Sequence, residues 1–177
     1  MLIMNIDFLI LDFIKEYLKN PVFDFLMPKI TALGNGGFIW IVAAIVLLAV
    51  PKYRKGGIAL VVGLLTGLLI GNLTLKPLIA RTRPFDFVEG IELLISAPTD
   101  FSFPSGHTLS SFVAAAILTM IDKRFGYVAI PLAILIAFSR MYLYVHYPSD
   151  ILGGILLAAM ISTVIYFIFF RKKGSQS

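Results

Sequence analysis

The sequence predicts an all-α protein, a polytopic membrane helix bundle of five to six transmembrane helices with an amphipathic N-terminal helix. Three observations carry the prediction. Hydrophobic residues make up 59% of the 177 and charged residues only 14%, whereas a soluble domain carries about a quarter charged residues. The apolar residues are gathered into long uncharged runs, several near the roughly 20 residues that a spanning helix needs. The basic residues stand in short clusters between those runs, as they do in the loops of membrane proteins. That placement also argues against a nucleic-acid partner, which the formal charge of +5 would otherwise invite. The length suits a single domain, residues 1–177. Cysteine is absent, so neither a disulfide framework nor a thiolate metal site is available.

Residues 1–33 form the amphipathic region. Asp12, Lys15, Glu16 and Lys19 recur at helical spacing, and Phe8, Leu9, Leu11, Phe13, Ile14 and Leu18 fill the remaining face. This is the pattern of a helix that lies on the membrane or packs against the bundle. Asn20-Pro21 breaks it, and a second short piece, 22–33, carries Asp24 and Lys29. Together these pieces are the candidate sixth span. The opening does not read as a cleavable signal peptide, because it lacks basic residues and Asp7 and Asp12 interrupt its apolar run. Five spans follow, at 30–51, 56–75, 101–121 with His107 at its edge, 125–145 interrupted only by Arg140, and 151–170. Gly63, Gly67 and Gly71, and likewise Gly154 with Ala158, clear helix faces so that a neighbour can approach closely.

Orientation follows from the loops. Lys52, Arg54 and Lys55 follow the first span, Lys123 and Arg124 the third, and Arg171, Lys172 and Lys173 the fifth. Alternate connections share a side, and by the positive-inside rule that side is cytoplasmic, with 171–177 as a frayed cytoplasmic tail. The opposite, extracytoplasmic face gathers Lys76, Arg81, Arg83, Ser105, His107, Arg140, His146 and Asp150, including both histidines of the chain. Ionisable groups at membrane depth are expensive and mark function.

Lys76 and Arg83 are two helical turns apart and could share a helix face, although Pro77 and Pro84 predict a kink. Cations around one point imply an anion, and an arginine fork suits phosphate oxygens. The alternative is that these residues meet lipid headgroups, and for Arg81 that is the preferred reading. Pro104-Ser105-Gly106-His107 reads as a helix start. There Ser105 can cap, Gly106 lets backbone approach a ligand, and free N–H groups favour an anion. Asp150, four residues after His146, can accept a hydrogen bond from one imidazole nitrogen and fix its tautomer. A metal held by His107, His146 and Asp150 is disfavoured by the surrounding cations, so neither metal nor other cofactor is expected.

Taken together, KPLIARTRP (76–84), PSGH (104–107) and SRMYLYVHYPSD (139–150) resemble the three motifs of the type 2 phosphatidic acid phosphatase family. All three match without departure and in order, with spans between them. The resemblance covers roughly residues 57–170, and the N-terminal piece only loosely. It implies six spans where the runs give five. It also implies roles: His146 as a nucleophile that forms a phosphohistidine, Asp150 as its orienting carboxylate, and His107 as the acid that protonates the leaving oxygen. Lys76, Arg83, Arg140, Ser105 and the Gly106 backbone would bind the phosphoryl oxygens.

The expected function is thus a metal-independent, multi-pass cell-membrane phosphatase with its site on the extracytoplasmic face. Its substrate would be a lipid phosphate or diphosphate in the bilayer. Undecaprenyl diphosphate is slightly favoured over phosphatidylglycerol phosphate, phosphatidic acid and lipid A phosphates, because an outward site suits recycling of that carrier. The alternatives are a lipid phosphotransferase or a non-catalytic lipid-phosphate binder or transporter, and the latter would need the cations but not both histidines and Asp150. The soluble haloperoxidases that share the motifs are excluded by the spans. Activity is expected to persist in excess chelator, because a cation-rich pocket leaves no full set of metal ligands. A phosphate-release assay with and without chelator checks this, and restoration by a divalent ion would count against it.

Overall fold

The computed structural model describes residues 2–171, which form helices and connecting loops, with no strand among the described residues. The tail beyond Arg171, including Lys172 and Lys173, lies outside the described residues. Eight α-helices follow one another. They are α1 (Leu2–Phe13), α2 (Pro21–Leu33), α3 (Phe38–Ala49), α4 (Arg54–Gly67), α5 (Lys76–Ile79), α6 (Gly106–Ile121), α7 (Lys123–Tyr142) and α8 (Pro148–Ile165). π-Helical turns extend α1, α4 and α8. The break at Asn20-Pro21 falls where the sequence places it. The Asn20 side chain accepts from the N–H groups of Val22 and Phe23, both at 3.0 Å, and Pro21 fills the first helical position, where no N–H is needed.

The spans are fewer than expected by length and composition. Pro51–Phe87, Lys123–Tyr142 and Pro148–Phe170 are long and apolar enough to cross a membrane. Pro21–Leu33 and Asn35–Ala49 make a fourth if they are one span bent by 46°. Two runs fall short for identifiable reasons. In 101–121 the first residues are non-helical chain, and the helix begins only at Gly106, leaving 16 residues. In 30–51 the chain turns at Gly36 and Gly37, whose φ values of 58° and 74° lie in the left-handed region that glycine tolerates without strain.

The central helix is α6, which packs on α4, α7 and α8 and buries Leu109, Val113, Ala114 and Ile117 completely or nearly so. The glycine row on α4 and its π-helical extension is what brings α6 close. A Cβ on Gly71 would lie 2.3 Å from Leu109 Cδ2, and one on Gly63 would lie 2.6 Å from Ile117 Cδ1. A buried hydrogen bond from Trp40 Nε1 to Ser111 Oγ, at 2.9 Å, ties α3 to the same helix. The outer surface is apolar, with Leu69, Val128 and Leu156 exposed, as suits a bundle solvated by lipid. The same holds for α1: Ile3, Leu9 and Phe13 point outward while Leu11 and Asp7 are buried. Of the two carboxylates that interrupt the N-terminal apolar run, Asp7 therefore faces the bundle and Asp12 is exposed.

Because α6 separates loop 88–105 from the start of α7, single cysteines at Ser96 and Lys123, both exposed, should label from opposite sides of the membrane, with Ser96 reached from outside. Labelling of both from one side in intact cells would overturn this arrangement.

Candidate active site

Local chain geometry brings the polar residues together. After Gly67 the helix widens into a π-helical turn, Leu68–Leu75, and tightens again as α5. Such insertions re-aim side chains and recur at functional sites. Here the re-aimed segment supplies Asn72 and Lys76. Ala80, with φ 48°, ends α5, so Arg83 arrives on extended backbone and not on a helix face shared with Lys76. At the start of α6, Ser105 Oγ accepts from the Thr108 N–H at 3.5 Å and from its hydroxyl at 3.0 Å. A Cβ on Gly106 would lie 2.8 Å from Asn72 Oδ1, so glycine is what allows this approach. The last α7 residue is Tyr142, and Tyr144 turns the chain with φ 59°. Arg140 and His146 consequently reach the same space although they are six residues apart.

The space is a cavity of about 790 Å³. One part is polar and is lined by Lys76, Arg83, Asp100, His107, Arg140 and His146, with Gly106 beside them. The rest is an apolar channel between α3, α4 and α6, past Ile41, Ile45, Leu64, Leu68 and Val113. Ser105 does not line the cavity; it is fully buried as the cap of α6. Asp150 is also fully buried, behind His146.

His146 is held from both sides. Its Nδ1 lies 3.4 Å from Asp150 Oδ2, and its Nε2 accepts from Arg83 Nη1 at 3.2 Å. A guanidinium has only donors, so these partners place the ring proton on Nδ1 and leave a lone pair on Nε2. Burial, and then the charges of Arg83, Arg140 and Lys76, push this imidazole well below its ordinary range, so it stands neutral at neutral pH. Asp150 in turn accepts from the Ser102 hydroxyl at 2.5 Å, the Tyr147 N–H at 2.9 Å and Arg81 Nη1 at 2.7 Å. Across the cavity His107 Nε2 lies 2.9 Å from Asn35 Oδ1. An amide oxygen only accepts, so Nε2 of His107 carries a proton. Arg140 donates to Thr31 Oγ1 at 2.8 Å, while its buried Nε has no partner.

Arg81 corrects the expectation that it meets lipid headgroups. It bridges Asp150 and Asp7 Oδ2, each at 2.7 Å, and its guanidinium stacks 3.9 Å over the Tyr147 ring. Asp7 also accepts from Ser149, N–H at 2.9 Å and hydroxyl at 2.5 Å. The motifs do not contain Asp7, Asn35, Asn72, Asp100 or Ser102. The signal available for Asp7 was an acid inside an apolar run, and for Asn35 an Asn-Gly-Gly turn inside another.

These features define a class: a membrane helix bundle whose buried cations and paired histidines surround an anion-sized pocket opening into an apolar channel. The chain matches the profile of the PAP2 superfamily over residues 56–173, and it belongs to that family. An undecaprenyl-diphosphatase of Sulfolobus acidocaldarius is 36% identical over 126 residues, 71% of this chain and 61% of that protein, so the match spans less than two thirds of that relative's length. Undecaprenyl-diphosphatase BcrC of Bacillus subtilis is 31% identical over 156 residues, 86% of this chain and 76% of the relative. The crystal structure of a transmembrane PAP2 type phosphatidylglycerolphosphate phosphatase from Bacillus subtilis is similar with a TM-score of 0.69 at 27% identity, over 88% of this chain and 81% of that one.

The network around Asp7 makes a prediction. Asp7→Ala leaves Arg81 and Ser149 without their shared acceptor, at a cost of about 3 kcal/mol for a broken buried pair. Asp12→Ala loses one hydrogen bond, from the Tyr144 hydroxyl, worth about 1 kcal/mol. Thermal unfolding in detergent should therefore show a clearly larger drop in Tm for Asp7→Ala. Equal drops would mean that this network is not the anchor of α1.

Proposed function

We infer that this protein is a membrane phosphatase that hydrolyses a lipid phosphate or lipid diphosphate without metal, through a phosphohistidine intermediate, at the extracytoplasmic face. The observation that carries this is the shape of the cavity: one end is cationic and holds a histidine whose Nε2 lone pair faces the Arg83 guanidinium, and the rest is apolar. That pairing suits an anionic headgroup on a hydrocarbon chain. Five to six membrane crossings belong to the reading. In it α6 crosses despite its length, α2 and α3 form one bent span, and α1 is an amphipathic helix laid against the bundle. Among substrates an undecaprenyl diphosphate is favoured, supported by the outward site and by the names of two relatives.

The chemistry follows from the geometry. Nε2 of His146 attacks phosphorus, and the P–N bond forms as the bond to the lipid oxygen breaks. His107, doubly protonated once the negative charge of the substrate is in place, donates the Nε2 proton that Asn35 now accepts to the departing oxygen and is left neutral with its proton on Nδ1. Water then attacks the phosphohistidine, giving its proton to His107 and releasing inorganic phosphate. Asp150 stabilises the charge that His146 gains. Lys76, Arg83, Arg140 and the Gly106 N–H hold the equatorial oxygens, where phosphoryl transfer gathers charge. Ser105 contributes by capping the helix that presents Gly106 and His107.

The leaving group tests these roles. His146→Ala should abolish turnover of lipid phosphate and aryl phosphate alike and leave no phosphoenzyme. His107→Ala should be impaired about 10²-fold less with a nitrophenyl phosphate than with a lipid phosphate, because an aryl oxide needs no general acid. Asp150→Asn should lie between, since it misorients the nucleophile without removing it. Rescue of His146→Ala by the aryl substrate, and not of His107→Ala, would show the two roles to be exchanged.

A further inference from the structure

Lys76 and Arg83 are buried, yet the site already supplies their anion. The Asp100 carboxylate bridges them, one oxygen on Lys76 Nζ and the other on Arg83 Nη2, the latter at 2.6 Å. Arg83 also grips the loop by its backbone, donating to Asp100 O at 2.8 Å and Phe101 O at 3.3 Å. The carboxylate contact is therefore additional to what anchors the loop. Asp100 differs from the cations it binds in being 55% exposed, whereas the Lys76 and Arg83 side chains are 7% and 3% exposed. It can swing outward while they cannot. Partial burial pushes its carboxyl up, but the hydrogen bond and charge of Lys76 and the charge of Arg83 outweigh this and hold it down at about 2, so it is an anion at neutral pH.

An incoming phosphate needs the same two cations and must displace this carboxylate. What can do so depends on charge. A terminal phosphate, with its second ionisation near pH 6, carries close to two charges at neutral pH and three free oxygens. A phosphodiester carries one charge and two free oxygens. It would exchange one monoanion for another and gain nothing against a competitor tethered to the site. The bulk phospholipids of a bilayer are phosphodiesters, present at high local concentration, so discrimination against them calls for a repulsive element as well as an attractive one.

We propose that Asp100 is a specificity-determining residue, a tethered internal competitor that a terminal phosphate dianion displaces from Lys76 and Arg83 and a phosphodiester does not. The proposal rests on the reading of the cavity as a lipid-phosphate site, and its test is chosen so that the two can fail separately. Purified full-length protein in detergent is titrated with inorganic phosphate and with dihexanoyl phosphatidylglycerol, and binding is read from the shift in Tm. The parent should respond to phosphate and not to the diester. Asp100→Asn keeps the backbone grip on Arg83 and should respond to both, with the ratio of the two dissociation constants falling at least about tenfold, the scale of one lost charge contact. Asp100→Ala should behave alike, which guards against an effect peculiar to the amide. The proposal is overturned if the ratio is unchanged in both variants, if the parent already binds the diester, or if either variant binds phosphate more weakly than the parent. Phosphate release from a panel of lipid phosphates is measured in parallel. Absence of turnover in the parent would sink the phosphatase reading and leave the binding result standing by itself.

Discussion

Charge buried in a low-dielectric bundle must be compensated, and this constraint organises the polar end of the protein. Of four cationic side chains, Lys76, Arg81 and Arg83 pair with three carboxylates, Asp7, Asp100 and Asp150, and Arg140 does not. An uncompensated buried charge costs several kcal/mol, so each carboxylate has a distinct placement. Asp7 and Asp150 share Arg81 and are themselves buried, which locks that trio. Asp100 covers Lys76 and Arg83 from a loop and remains accessible. Arg140 is left with a threonine hydroxyl and an unpartnered Nε. The unmet electrostatic demand thus lies on the cavity side and not in the scaffold.

Local sequence explains most of the fold. The Asn20-Pro21 break, the Ser105 cap and the glycine row all act through neighbours in the chain or through one helix face, and the three motifs are short enough to read directly. What escaped the sequence are contacts between distant segments. Asp7 meets Ser149 across 142 residues and Asn35 meets His107 across 72. No periodicity announces such pairs. Arg81 was misread for the same reason: its neighbours suggest an interface, and its partner comes from α1. The span boundaries differ for another reason. Apolarity does not distinguish a helix from extended chain, and so 101–121 and 30–51 looked continuous where the backbone turns.

The contacts also separate what is fixed from what is open. Asp150 has three donors besides His146, and its geometry is over-determined by Arg81, Ser102 and the Tyr147 N–H. This matters because its contact with His146 is long, at 3.4 Å, and would not alone set the imidazole. Ring orientation comes equally from the far side, where Arg83 donates to Nε2. By contrast Asn72 Oδ1 and Arg140 Nε are both buried without a partner. Native structures leave few such atoms unsatisfied, and both residues line the cavity that joins the polar end to the apolar channel.

Arg83 connects these two halves. One guanidinium holds the Asp100 carboxylate, two loop carbonyls, the Val145 carbonyl and the His146 lone pair. A lysine could not do this, because its ammonium is a point charge without a rigid fork. The group that recognises an anion is thereby the group that sets the tautomer of the histidine beside it. The contacts to the Asp100 carboxylate and to the His146 ring share a single side chain, and a change at Arg83 must disturb both. Lys76 bonds the Asp100 carboxylate but neither histidine, and it reaches His146 only through its charge.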